Sequence, residues 1–139
     1  MDHTQAALAF QKLSAVERAD PLAHFRCKVW AQRKLYECIA LPDPPEVYWH
    51  AASNGGKTTG GAALDLAFMM GRGEIDGVSI PVLQPPVAGA LIVPSYKLSA
   101  GSSLAAIRQL LGDWPHHEGV INSGQDAVGI LYVKHRLDR

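Results

Sequence analysis

The chain has few of the features that mark secreted, membrane-spanning or stand-alone DNA-binding proteins. Its only cysteines are Cys27 and Cys38. On one helix they would lie about 16 Å apart, too far for a disulfide, so we expect free thiols in a reducing compartment. No apolar run approaches the about 18 residues of a membrane span, and the N-terminus lacks the basic start of a signal peptide. These absences favour a cytoplasmic protein.

The chain also has no excess of positive or negative charge. Basic and acidic residues number 13 each, so the formal charge is zero. Phosphate contacts need a basic surface, so the balance does not favour a stand-alone DNA binder, although a local patch or a ring of subunits could still hold DNA. The length of 139 residues and the hydrophobic content of 47% suit one packed domain.

The most informative segment is residues 51–58, the phosphate loop, which ends in Gly55-Gly56-Lys57-Thr58. A polyphosphate is bound by converging backbone N–H groups, a helix N-terminus, a lysine and a hydroxyl that holds the metal. The usual pattern G-x-x-x-x-G-K-[ST] would begin with glycine at position 51, where this chain has Ala51. Gly55 and Gly56 still leave the loop tip free of Cβ atoms. The alternative is a Gly-Gly turn before an ordinary N-capped helix.

The surroundings of the loop favour the phosphate-binding interpretation. Residues 46–50 are rich in β-branched and aromatic residues and predict a strand. An apolar helix is expected to begin at Lys57 and to stop at Gly71. Strand, glycine-rich turn and helix is the arrangement that a phosphate loop requires.

The remaining elements predict an α/β protein with a mostly parallel sheet flanked by helices. Residues 1–40 form an N-terminal helical segment, and residues 46–139 form the core. In such sheets ligands bind beyond the carboxyl ends of the strands, where residues 51–58 lie. Helices are expected at 4–18, at 21–40 with Asp20 as the cap, and at 99–111. Strands are expected at 88–93, 119–122 and 128–134, and residues 78–82 form a short edge strand or remain extended.

At this point the chain resembles a known family. Residues 52–59 look like the relaxed Walker A motif of phage large terminase subunits, and residues 30–34 (WAQRK) are similar to the W-x-Q-R-K segment before the ATPase core of that family. Downstream, a helix ending in Met70-Gly71-Arg72, a proline-broken stretch and the run Leu91–Tyr96 follow in the same order. The similarity covers residues 21–135. It implies an incomplete P-loop NTPase of the ASCE type.

The resemblance implies an ATPase that drives double-stranded DNA into a viral procapsid. Such a motor works as a homo-oligomeric ring docked on the portal, together with a small terminase subunit. The expected location is the cytoplasm of a bacterial host, with a phage or prophage as the source. The expected cofactor is ATP with Mg²⁺, and no membrane is involved.

Individual roles follow from the same resemblance. Lys57 would be the catalytic lysine that neutralises the β- and γ-phosphates, and Thr58 would bind Mg²⁺. Gln32 would read the adenine edge through its amide, although a polar residue on the wet face of a helix is the alternative. The remaining nucleotide-binding positions are Ser53, Asn54, Gly55, Gly56 and Thr59.

Other catalytic parts of that family have no counterpart in the sequence. Hydrolysis needs an apolar strand ending in Asp-Glu, to hold Mg²⁺ and to orient water. Residues 90–93 are followed by Pro94-Ser95, and residues 130–133 by Lys134-His135. We therefore expect the N-terminal part of a longer protein, with an exposed sheet edge, weak nucleotide binding and negligible turnover on its own.

Two other functions remain open at this stage. The chain could be a different P-loop NTPase, such as a helicase or a small kinase, although the scattered arginines do not suggest a kinase lid. It could also be a truncated remnant or regulatory domain without catalysis. A metal site at His116-His117-Glu118 is not expected, because neighbouring strand residues point to opposite faces and no third ligand has a useful spacing.

Overall fold

A computed structural model describes residues 3–5, 20–43, 46–49, 56–90, 104–121 and 128–137. Residues 3–5 are helical, and the rest of the helix expected at 4–18 lies outside the described residues. The other helices and strands are Trp30–Ile39 (α1), Lys57–Met70 (α2), Glu74–Ile75 (β1), Val78–Ser79 (β2), Leu104–Leu111 (α3), His116–Ile121 (β3) and Val128–Val133 (β4).

Helix α2 is the centre of the fold. Its bounds confirm the helix expected between Lys57 and Gly71. Gly71 ends it in the left-handed region at φ 78°, with hydrogen bonds from Gly71 N to Phe68 O and from Arg72 N to Ala67 O, which together form a Schellman motif. Apolar residues surround most of its circumference, as is typical of a helix that is covered on several sides. Its buried residues are Gly60, Ala62, Ala63, Leu64, Leu66, Ala67 and Met70.

Helix α1 begins nine residues later than the sequence predicts, at Trp30 and not at Pro21. Asp20 caps a single turn, with its Oδ1 accepting from Leu22 N at 3.2 Å, and the chain then becomes extended. Cys27 N donates to Asp76 Oδ2 at 3.0 Å, a bond across 49 residues that replaces a helical one. Val29 is extended at φ −133°, and α1 starts at Trp30. A long-range hydrogen bond therefore overrides the local helical pattern.

The strands β1 and β2 form a tight hairpin around Asp76-Gly77. Asp76 has φ 47° and Gly77 φ 79°, the two positive values that a type I′ turn requires. The sequence predicts a turn or loop at 72–77 and an edge strand or extended segment at 78–82, whereas Glu74↔Ser79 and Ile75↔Val78 pair antiparallel. The hairpin buries Ile75 and Val78 in the common core.

Helix α3 leads into a second antiparallel hairpin, β3–β4. The sequence predicts a buried stripe of Leu104, Ile107 and Leu111 on α3; Ile107 and Leu111 are buried, and Leu104 is half-buried. The register of the hairpin runs from His116↔Val133 to Ile121↔Val128. These strands match those expected at 119–122 and 128–134 within a few residues.

One continuous core joins residues of the N-terminal segment to the rest. Leu22 and Tyr36 are buried in the same apolar cluster as α2, β1 and α3. Arg72 strengthens this link, since its Nη2 lies 2.9 Å from Asp20 Oδ2. Residues 20–40 therefore pack as part of the same body as α2.

The strands within the described ranges pair only as two antiparallel hairpins. The mostly parallel sheet stays a prediction, because His50 and residues 91–93 of its expected strands lie outside those ranges. Residues 46–49 and 88–90 are described and belong to neither a helix nor a strand. None of the helices that the structure describes has the length and apolar character needed to cross a bilayer.

Candidate phosphate-binding site

The candidate site is the first turn of α2. Gly56 precedes the helix in the left-handed region at φ 81° and ψ 7°. As glycine it has no side chain that could cap the helix, and the first turn contains no acidic residue. An N-terminal turn normally attracts an acidic side chain, because its free N–H groups carry roughly half a positive charge. Here that position is occupied by Lys57-Thr58 instead, so a basic side chain adds to the positive end of the helix.

The expected site residues divide into two groups. Lys57 and Thr58 are exposed in the first turn of α2, and Thr59 is half-buried beside them. The expected positions Ser53, Asn54 and Gly55 lie outside the described residues. The structure thus brings the lysine and the hydroxyl together at a helix N-terminus.

Gln32 lies beside this turn but is not on a wet helix face. Its side chain is 1% exposed, and both ends of its amide are hydrogen-bonded. Nε2 donates to Gly56 O at 3.0 Å, and Oε1 accepts from Lys28 N at 2.7 Å. The alternative of a solvated polar residue is therefore wrong, and the side chain touches the residue that precedes Lys57.

Tyr36 is a further residue of this region that sequence reasoning missed. It is fully buried, and its hydroxyl donates to Gly60 O at 2.9 Å. Burial raises the pKa of its phenol, which keeps the hydroxyl a donor. The available signal was the spacing: Gln32 and Tyr36 are one helical turn apart, as are Gly56 and Gly60.

The glycines of α2 are not equivalent. A Cβ on Gly60 would lie 3.0 Å from Gln32 Cγ and 3.1 Å from Trp49 Cζ3, whereas a Cβ on Gly61 would meet nothing within 4 Å. Gly60 therefore allows α1 and the Trp49 ring to approach the helix closely. Gly61 has no such contact.

We expect Gly60→Ala and Gly61→Ala to have opposite effects on stability. Alanine at position 61 should raise the free energy of unfolding by about 0.5–1 kcal/mol, the usual gain in helix propensity. Alanine at position 60 should lower it by about 1–2 kcal/mol, because overpacking exceeds that gain. Urea denaturation measures both variants. If both variants were stabilised equally, the side chains around Gly60 would have moved aside at no cost in free energy.

A cluster around Asp76 holds the segment before α1. Its carboxylate accepts from Cys27 N at 3.0 Å and lies 3.5 Å from Arg26 Nε and 3.9 Å from Arg33 Nη1. The Cys27 N–H bond, followed by the hydrogen bond with the Cys27 thiol and the charges of the two arginines, lowers the pKa of Asp76. Burial, together with the neighbouring carboxylate, raises the pKa of the Cys27 thiol. A thiol with a raised pKa is a poor nucleophile, so this cluster is structural.

The His116-His117-Glu118 segment has protein partners of its own. The ring of His117 stacks on Tyr132 at 4.6 Å, and Arg108 holds Glu118 through two hydrogen bonds of 2.7 Å. No group of three or more metal-ligating side chains occurs in the part of the chain that the structure describes.

In comparisons with known proteins, the chain matches no family model, no curated protein and no solved structure.

Proposed function

We propose that this chain binds ATP with Mg²⁺ at the N-terminus of α2, as the N-terminal part of a viral DNA-packaging ATPase of the terminase large subunit type. One observation carries the binding proposal: α2 begins at Lys57, directly after a left-handed glycine, with Lys57 and Thr58 exposed in a first turn that has no acidic residue. The alternative is an ordinary helix with Gly56 as its N-cap, since glycine is also a common N-cap residue.

The residues at this turn fit a polyphosphate chemically. Phosphate oxygens accept hydrogen bonds from N–H groups at helix N-termini and from lysine ammonium groups. Lys57 would hold the β- and γ-phosphates, Thr58 would be a ligand of Mg²⁺, and Thr59 could reach the α-phosphate. Ser53, Asn54 and Gly55 would complete the loop before Gly56. Mg²⁺ would neutralise charge on the phosphates.

The motor function rests on the order of sequence segments that resembles large terminase subunits. In that role the protein would form a homo-oligomeric ring with the portal, the small terminase subunit and double-stranded DNA, and would couple ATP hydrolysis to genome translocation. A helicase-like P-loop NTPase would use the same phosphate loop. The resemblance of residues 30–34 and 91–96 favours the packaging motor between these two.

A non-catalytic binding role is the second candidate, and a specific observation favours it for the 139-residue chain. Strand β4 ends at Val133 and is followed by Lys134 and His135, where an ATPase strand would be followed by Asp-Glu. We therefore expect nucleotide binding with negligible turnover.

The experiment is a calorimetric titration of the protein with ATP, with and without Mg²⁺. Wild type should bind Mg-ATP, and inorganic tripolyphosphate should compete. Thr58→Val should weaken Mg-ATP binding about 10-fold but leave metal-free ATP binding nearly unchanged, because valine keeps the shape and removes the metal ligand. Absence of any binding by wild type up to about 1 mM ATP would contradict the proposal. Steady hydrolysis by the pure chain would contradict the non-catalytic reading.

A further inference from the structure

Two buried side chains of α1 hold the first turn of α2 by its carbonyl groups. Gln32 Nε2 donates to Gly56 O at 3.0 Å, and the Tyr36 hydroxyl donates to Gly60 O at 2.9 Å. The donors are one turn apart on α1 and the acceptors one turn apart on α2, so the spacings match. We call these four residues the α1–α2 clamp.

The α1–α2 clamp contacts the carbonyl groups of this turn, whereas a phosphate would bind its N–H groups. Gly56 O also accepts from Gly60 N at 2.9 Å, which is the first hydrogen bond of the helix. Carbonyl groups point toward the C-terminus of a helix and N–H groups toward its N-terminus. Holding the carbonyls therefore fixes the direction of the N–H groups of the first turn without occupying them.

The amide of Gln32 can have only one orientation in this contact. Its Oε1 accepts from Lys28 N at 2.7 Å, so Nε2 must face the Gly56 carbonyl. A flipped amide would place two acceptors against each other at Gly56 and two donors at Lys28. A Cβ on Gly56 would lie 2.8 Å from Gln32 Nε2, so the close approach also requires glycine there.

We infer that Gln32 is a positioning residue for the first turn of α2, acting through Gly56 on the backbone that carries Lys57 and Thr58, and that it does not read the adenine base. This inference rests on the proposed nucleotide binding. Reading a base requires an amide that faces the ligand, whereas this side chain is 1% exposed and both amide ends are bonded within the protein. Its effect should therefore be the same for every ligand that carries the same phosphates.

The test compares ATP, GTP and inorganic tripolyphosphate, each with Mg²⁺, by calorimetry. Gln32→Met keeps the side-chain volume and removes both hydrogen bonds. We expect it to lower the affinity for all three ligands by the same factor, about 5- to 10-fold. Gln109→Met, at an exposed position of α3, is the matched control and should leave all three affinities unchanged. A loss confined to ATP, or no loss at all, would overturn the inference.

A second variant covers the other half of the clamp. Tyr36→Phe removes only the hydroxyl that donates to Gly60 O. We expect the affinity for each of the three ligands to fall by the same factor, about 2- to 5-fold. Tyr132→Phe is its control, since that side chain is 55% exposed on β4. A loss that depends on the base would contradict a positioning role here as well.

Backbone ¹⁵N relaxation of the ligand-free protein separates this inference from the proposed function. In Gln32→Met the order parameters of the Gly56 and Lys57 amides should fall, while those of amides in the centre of α2 stay at the wild-type values. If wild type binds no nucleotide but this order falls, the proposed function fails and the positioning role stands. Unchanged order at both amides would overturn the positioning role, whatever the binding data show.

Discussion

Gly71→Ala should lower the free energy of unfolding by about 3–5 kcal/mol, because two independent costs coincide at this residue. Gly71 has φ 78°, a conformation that costs a residue with a Cβ about 1–2 kcal/mol. The new Cβ would also overlap with Cε1 of His135 and lie 2.5 Å from its Nε2. A loss of this size is a large part of the stability of a small domain.

His135 cannot easily move away from Gly71. The side chain is 3% exposed, its Nε2 lies 2.8 Å from Leu83 O, and its Nδ1 accepts from Leu137 N at 3.1 Å. The next residue is held too, since Arg136 N donates to Met70 O at 2.9 Å. The end of α2 and the segment after β4 are thus locked together at this ring.

Gly77→Ala is the matched control for this prediction. Gly77 has nearly the same φ, 79°, and a Cβ there would meet nothing within 4 Å. It should show the backbone cost alone, about 1–2 kcal/mol. Urea denaturation of both variants gives the contribution of the His135 contact as the difference. If both variants lose the same free energy of unfolding, the His135 ring moves aside at no cost. A smaller loss for Gly71→Ala in a His135→Ala background would confirm the contact.

The second large effect is expected on binding. Lys57→Ala should weaken the affinity for Mg-ATP and for tripolyphosphate by about 10- to 100-fold, the usual loss for a hydrogen bond to a charged group. The free energy of unfolding should change by less than about 0.5 kcal/mol, because Lys57 is exposed. Calorimetric titration and urea denaturation measure the two quantities on the same samples.

Lys134→Ala controls for the removal of one positive charge. Lys134 is exposed after β4, and its backbone N and O form hydrogen bonds with Pro115 O and Trp114 Nε1. We expect this variant to bind both ligands as wild type does. Equal affinities of wild type and Lys57→Ala would remove the role assigned to Lys57, and an equal loss in both variants would indicate non-specific attraction by overall charge.

Helix α2 shows what local sequence can predict. Glycines mark both of its ends, and the run from Ala62 to Met70 between them is apolar except for Asp65, so its bounds follow from residues that are near in the chain. The buried stripe of α3 and the approximate strands β3 and β4 are predictable for the same reason. The first turn of α2, with Lys57 and Thr58, could therefore be identified in advance.

What local sequence does not predict depends on hydrogen bonds between distant residues. The bond from Cys27 N to Asp76 Oδ2 spans 49 residues and delays the start of α1. The bond from Gln32 to Gly56 spans 24 residues and places a polar side chain in the core. The hairpin at Asp76-Gly77 had an unused local signal, since Asp-Gly between apolar residues is typical of a type I′ turn.

The most direct test is a ¹⁵N–¹H correlation spectrum of the protein titrated with Mg-ATP. Binding at the N-terminus of α2 should shift the amide signals of Gly56, Lys57, Thr58 and Thr59 along one saturable curve, because their N–H groups would meet the phosphates. Tripolyphosphate should shift the same signals. If these four amides stay in place while ligand saturates the protein, or if the shifts cluster on another element, the phosphate site is not at this turn.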